Sequence, residues 1–319
     1  MTTVTERTEV SELGRNAIDE LLKTSRETSE ELTNKNVPSQ LFHFTGAAGV
    51  IGILRDECLW ASRAMCLNDA SEVLYGIRLV SDYLGQTADA QPPRRKAFRK
   101  VAQAYLDPSK MAPALRVRAD PFVVSFSETD RDSFHWLHYG RGGDGYSLGF
   151  EASKLPTKPF ELHKVEYDPI RQQEIVDRAV NRLEEAFLDL ALRQEYRDVV
   201  RIGETAAIVF AATMWTIAAR LKHPSFRGED EWRLVTFNIR GEHIDESAGI
   251  HLPTKFRADG NKIVPYIEVL YAGARLPLSS VKVGSRVEKI VAEESIRHLL
   301  RERHYDEGIA VEAADVPLR

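Results

Sequence analysis

Two long helical stretches, 169–197 and 203–221, interrupt what is otherwise a series of short strands, and this interruption constrains the fold class most. A doubly wound sheet needs strands and helices that alternate regularly along the chain. Here strands are expected at 41–45, 58–62, 122–127, 146–151, 160–167, 232–239, 263–271, 281–283 and 309–313. These runs combine β-branched and aromatic residues with flanking Gly, Pro or Asp. The remaining helices are expected at 47–55, 70–84, 94–106, 130–139 and 286–303. The strands thus fall into two groups on either side of the helical pair, which predicts an α+β fold. We expect one domain over 37–319, with a helical insert at about 169–221. The 319 residues, 43% of them hydrophobic, are enough for one sizeable core.

Residues 1–36 carry eight acids against five bases, with Val10, Leu13, Ala17, Ile18, Leu21 and Leu22 at helical spacing. This predicts an amphipathic helix packed on the body; self-association or capture of a partner is the alternative use of its stripe. The segment holds −3 of the net charge of −5, so the body is close to neutral and a general polyanion-binding coat is excluded. Cys58 and Cys66 are the only cysteines, which excludes a disulfide scaffold and suits a reducing cytoplasm. The opening residues are too polar and acidic for a secretory signal. The longest charge-free apolar stretch, 205–219, is fifteen residues, short of the roughly 18 that cross a bilayer, so no membrane role is expected.

Several motifs match in letters only. Gly140-Arg141-Gly142-Gly143-Asp144-Gly145 spells the dinucleotide fingerprint, but a helix precedes it and a strand follows, the reverse of what pyrophosphate binding requires. Ser147 within Gly145-Tyr146-Ser147-Leu148-Gly149 sits in a strand, not on the strand-to-helix turn of a nucleophile elbow. His135 and His138 stand three apart beside Trp136 and Tyr139, an aromatic packing face, and no metal site is assigned. Arg94-Arg95-Lys96 with Arg99 and Lys100 is the densest basic cluster; a solvated face is the default and a phosphate-contacting patch the alternative.

An ordered series of segments is more specific. Leu41-Phe42-His43-Phe44-Thr45 precedes an aliphatic helix, then Leu59-Trp60-Ala61-Ser62, Leu67-Asn68-Asp69 and Glu72. Val124-Ser125-Phe126-Ser127-Glu128 leads on to Asp132, Trp136, Tyr139 and the 145–150 strand, and Val283-Gly284 opens the closing helix and strand. From about residue 38 onward this series resembles the bacterial family catalogued as domain of unknown function 2971. It departs from the family at Ser285, where proline is more usual, and in the long helical insert. The opening also resembles the ADP-ribosyltransferases, whose first motif is a strand-borne His followed by Thr or Ser, then a helix and a strand ending in a small polar residue. Their late Glu, often Glu-x-Glu ahead of a strand, has a counterpart in Glu229-Asp230-Glu231. This second resemblance implies a mixed split β-sandwich holding NAD in its cleft. It implies Glu231 and Glu229 as catalytic carboxylates, and His43, Thr45 and Ser62 as contacts to the NAD riboses. Tyr75 or Tyr139 would stack on nicotinamide.

The implied chemistry is coherent. Cleaving the nicotinamide–ribose bond develops positive charge on the sugar, which a fixed carboxylate stabilises. Glu229 and Glu231 would share a strand face, and two like charges so placed would raise one pKa, which suits proton removal from an acceptor. The acceptor, whether protein, nucleic acid or small molecule, is left open, as is a stress, toxin or phage-defence setting. Against this stand a catalytically silent nucleotide- or partner-binding module and a metal-dependent nuclease built on Asp69, Glu72, Glu128 and Asp132. Plainer roles are also expected: His43 satisfying a core hydrogen bond, and Arg233 pairing with Glu231.

Overall fold

The computed structural model of the chain describes residues 12–32, 36–67, 70–106, 119–156, 159–193, 196–239, 252–271 and 275–316. Its frame is a ten-stranded mixed sheet. One arm runs β10 (Ala310–Ala313), β9 (Leu278–Val283), β4 (Tyr146–Glu151) and β1 (Gln40–Thr45); the other runs β2 (Cys58–Arg63), β8 (Lys262–Leu270) and β7 (Thr254–Asp259). Both arms meet β3 (Ala119–Ser127), whose opposite edge carries β6 (Glu231–Ile239) and then β5 (Glu161–Lys164). Among the described strands, only β10 and β9 pair parallel.

The sheet forks at β3. Its Phe122 and Val123 pair with Arg63 and Ser62 of β2, and its Ser127 pairs with Phe42 of β1. Between those points Val124, Ser125 and Phe126 have no strand partner on that edge, although all three pair with β6 on the other. The gap between β1 and β2 is where the cleft described below lies.

Each face of the sheet has its own core. Against one face pack α2 (Ala47–Asp56) and α8 (Lys289–Glu302), joining Val50, Ile53 and Leu54 to Phe126, Phe150, Trp232 and Val281. Against the other lie α3 (Ala70–Ala88), α4 (Pro93–Leu106), α6 (Pro169–Arg193) and α7 (Tyr196–Ala218), where Val123 and Val235 meet Val176, Met214 and Ala218. The helical insert is therefore half of the core. Its small side chains, Ala211, Ala218 and Ala219, let α7 lie close on β3 and β6.

Two expectations change. The helix expected at 130–139 contracts to α5 (Ser133–His138), because the Asp132 carboxylate accepts from Phe134 N at 2.8 Å and fixes the helix start there. Strand β7 was not expected; Asp259-Gly260-Asn261-Lys262 closes a two-residue turn onto β8, with Gly260 at φ +56°.

Helix α1 (Glu12–Glu31) packs on the body. Leu21 and Leu22 bury against Leu190, Ala206 and Val209, and Ser29 hydrogen-bonds Glu161. Arg182 pairs with Glu27 and Glu31. Val10 lies outside the described residues, as do the side chains of Leu13, Ala17 and Ile18.

The basic cluster is not an open patch. Arg99 is buried and binds Glu184, which also takes Arg95 at 3.0 Å, while Lys96 pairs with Asp89. Truncating Glu184 strands a buried guanidinium. We expect Glu184→Ala to lower stability by about 3–5 kcal/mol in denaturant unfolding, and Arg99→Met with Glu184→Leu to recover most of that loss.

Candidate functional site

Helix α2 shapes one wall of the cleft by what it lacks. Gly49 and Gly52 fall on one face, three residues apart. A Cβ on Gly49 would collide with Thr45 Oγ1, and one on Gly52 with the Trp60 ring. Thr45 of β1 and Trp60 of β2 thereby rest directly on the helix backbone on either side of the fork.

His43 fills the gap in the ladder. Its Nδ1 lies 2.9 Å from the Ser125 carbonyl, in the unpaired stretch of β3. A carbonyl only accepts, so Nδ1 carries the proton and Nε2 of the neutral ring is left as an acceptor. Burial lowers the His43 pKa and the Arg257 charge adds to it, against the raising effect of the Ser125 bond. The ring is held neutral.

The deep end of the cleft holds four buried charges. Arg233 forks onto Glu231 with two bonds of 2.8 Å and also donates to the Ala219 carbonyl. Lys222 Nζ reaches Glu231 at 3.2 Å and binds Glu229. Burial acts to raise the Glu231 pKa, but the charges of Arg233 and Lys222, with bonds from Arg233 and Ser125, hold it at about 2. Glu229 moves the other way. Burial and the neighbouring Glu231 charge raise its pKa, only partly offset by Lys222 and a bond from Tyr139. The two carboxylates thus differ, one ionised throughout and one primed to hold a proton. Tyr167, whose hydroxyl accepts from Glu231 N at 3.2 Å, supports this strand entry from behind the lining residues and is itself kept protonated by burial.

His43, Thr45, Ser62, Tyr139, Glu229 and Glu231 all line one cleft of about 460 Å³. Ser62 Oγ accepts from Arg257 at 3.1 Å. Tyr75 is not among the lining residues. Its hydroxyl donates to Gln172 at 2.9 Å and its ring meets His223, so α3 turns it toward the base of α6. His135 is buried, with Nε2 2.8 Å from the Glu229 carbonyl and 3.0 Å from Ser127 Oγ. Nε2 therefore carries the proton and cannot act as base to that serine. Of the nuclease candidates, Asp69 and the side chain of Glu72 lie outside the described residues. Glu128 is taken by Lys164 at 2.6 Å and Trp232 at 2.7 Å, and Asp132 caps α5.

Sequence reasoning missed Lys222, Tyr167, Arg141, Arg257 and Asp259 as parts of the site. The first two border the helical pair and are joined to Glu231 only by folding. Arg257 and Asp259 went with the unrecognised β7, for which Asp259-Gly260 was the available signal.

Fold and site together define a mixed α/β protein whose sheet forks over a polar, charge-lined cleft. Residues 135–234 match the family model described as a protein of unknown function, DUF2971. The family similarity read from the sequence holds over that stretch, which carries both carboxylates, Lys222 and Arg233. No curated protein and no solved structure matches the chain. Among the described residues, no helix is long and apolar enough to cross a membrane.

The Glu231 network has a pH signature. With its folded pKa lowered from 4.5 to about 2, Glu231 contributes stability that is present above pH 4.5 and lost as pH falls through 2. Glu229, with its pKa raised, contributes with the opposite sign. Urea midpoints measured from pH 5 to 2.5 should therefore fall more steeply for the wild type than for Glu231→Gln. Parallel slopes would show that Glu231 is not the titrating group.

Proposed function

We propose that the cleft binds NAD and that the chain cleaves its nicotinamide–ribose bond, as an ADP-ribosyltransferase-like enzyme or an NAD glycohydrolase. One observation carries this reading. His43, Thr45, Ser62, Tyr139, Glu229 and Glu231 come from four separate stretches of chain and line the same cleft. The forked sheet, with β1 and β2 diverging from β3, favours likeness to a split β-sandwich over a simple open sheet.

In this reading Glu231, ionised at any working pH, faces the ribose as positive charge builds at C1′. Nicotinamide leaves with the electron pair of the broken C–N bond. A water or acceptor hydroxyl adds to C1′ and passes its proton to Glu229, whose raised pKa suits a base. Thr45, Ser62 and the bare Nε2 of His43 offer bonds to ribose hydroxyls. The acceptor is a protein, a nucleic acid or a small molecule, and a cytoplasmic role in bacterial stress, toxin action or phage defence goes with this activity.

A second reading has its own support. Arg233 and Lys222 already hold Glu231. A carboxylate so neutralised stabilises a ligand cation less, which suits a nucleotide- or partner-binding module without turnover.

Incubation with labelled NAD and bacterial lysate, following nicotinamide release and label transfer together, separates the two. The enzymatic reading expects release by the wild type and a loss of about 10²–10³-fold in Glu231→Gln that still binds NAD. Binding without release by the wild type selects the second reading, and unchanged release by Glu231→Gln removes that residue from the mechanism.

A further inference from the structure

The charges lining the cleft are unevenly placed. At the deep end Glu229 and Glu231 balance Lys222 and Arg233. At the rim two guanidiniums, Arg141 and Arg257, stand around the single carboxylate of Asp259. The rim therefore carries one uncompensated positive charge, and the place for an anion lies there.

The rim contacts are loose. Asp259 lies 3.5 Å from Arg141 and 3.9 Å from Arg257, with one of its oxygens toward each; Arg141 is exposed and Asp259 half-buried. Long, solvent-accessible pairs of this kind hold their partners only weakly. The Arg257 guanidinium has spare donors, since one nitrogen bonds Ser62 and its buried Nε has no hydrogen-bond partner. Arg257 also packs over the Trp60 ring, so it is held in place by more than its charge partner. Arg141 reaches the rim from the loop before β4 and crosses Gly46, where any Cβ would strike its guanidinium. It thus spans from one arm of the fork to the other. Gly46 starts α2 without a side-chain cap, and its first turn, with Ala48 and Gly49, lines the same rim.

We infer that Arg141 and Arg257 form a subsite for the phosphates of a nucleoside diphosphate group, and that Asp259 is a resident carboxylate which such a ligand displaces. A phosphate offers each guanidinium two strong acceptors, where Asp259 offers each one distant oxygen. Asp259 can yield because β7 is an edge strand, paired only with β8 among the described strands, and even a Cβ placed on Gly260 beside it would meet nothing within 4 Å. Asp259 then acts as a specificity device. It repels anions that cannot engage both arginines and gives way to one that can. The inference rests on the cleft being a nucleotide site, not on any bond being broken there.

Titration calorimetry with ADP, adenosine and inorganic pyrophosphate tests it on the full chain. ADP should bind the wild type at least about tenfold tighter than adenosine, with affinity falling as salt rises. Asp259→Asn should tighten ADP by about three- to tenfold and leave adenosine unchanged. Arg257→Gln should erase the gap between ADP and adenosine, and Arg141→Gln should narrow it. Arg257→Lys, which keeps the charge and loses the fork, serves if the Gln variant fails to fold, and should give an intermediate gap. Pyrophosphate that binds as tightly as ADP assigns the subsite to free phosphates and overturns the nucleotide assignment. Equal binding of ADP and adenosine by the wild type, binding of neither, or Asp259→Asn that leaves ADP unchanged or weaker overturns the inference. Success of these arms without nicotinamide release keeps the subsite and removes the glycosidic activity; release with no effect of Asp259→Asn does the reverse.

Discussion

A strand in the middle of a sheet cannot leave three consecutive residues unpaired unless something else meets their backbone groups. That constraint falls on Val124, Ser125 and Phe126, where β1 and β2 part from β3. The imidazole of His43 meets it by donating to the Ser125 carbonyl. The cleft exists because the ladder is broken there, and the break is tolerable because a side chain takes the place of a neighbouring strand. The plain role of His43, satisfying a buried acceptor, and its role as a cleft residue are therefore one arrangement. Fixing Nδ1 as the donor is what leaves Nε2 free to accept.

The Glu229, Lys222, Glu231 and Arg233 set follows a related logic. Side chains directly opposite on β3 and β6, Ser127 with Glu231 and Ser125 with Arg233, share one face, so both charges of β6 turn inward beside the fork. Two buried carboxylates alone would drive one another to protonate. Lys222 and Arg233 prevent this for Glu231, while Glu229, offset only in part by Lys222 and a bond from Tyr139, keeps a raised pKa. Excellent geometry is what makes such a buried set tolerable, and the bidentate Arg233 supplies it.

Much of this was legible in the sequence where information is local. Alternation located β1, β2 and β4, and the reversed order of helix and strand correctly assigned Gly140–Gly145 to a turn, now a short 3₁₀ segment between α5 and β4. The pairing of Arg233 with Glu231 follows from their spacing of two in a strand. Tyr75 illustrates the limit. An aromatic on an amphipathic helix is equally suited to ligand or core, and only the tertiary position of Gln172 decides. In the basic cluster Arg94 and Lys100 are the exposed residues expected of a solvated face, but Arg99 is not, because Glu184, nearly ninety residues later, neutralises it. The fork itself had no sequence signal, since it is a relation among three strands.

The helical pair joins these points. Its entry and exit are clasped at one place: Glu166 N donates to the Arg220 carbonyl at 2.8 Å, and Lys222 N to the Glu166 carbonyl at 3.1 Å. Gln172 spans both, donating to the carbonyls of Glu166 and Lys222 at 2.7 Å each, and Tyr75 holds Gln172 from outside. Tyr167 follows the entry and Lys222 the exit, so the clasp itself sets the two residues that contact the Glu229–Glu231 strand entry. The charges of the cleft are thus fixed at the neck of the insert, where Arg233 also donates to the Ala219 carbonyl, and not at its far end. An insert that is long yet closed at its base can be half of the core and still leave the site's geometry to a few residues at its neck.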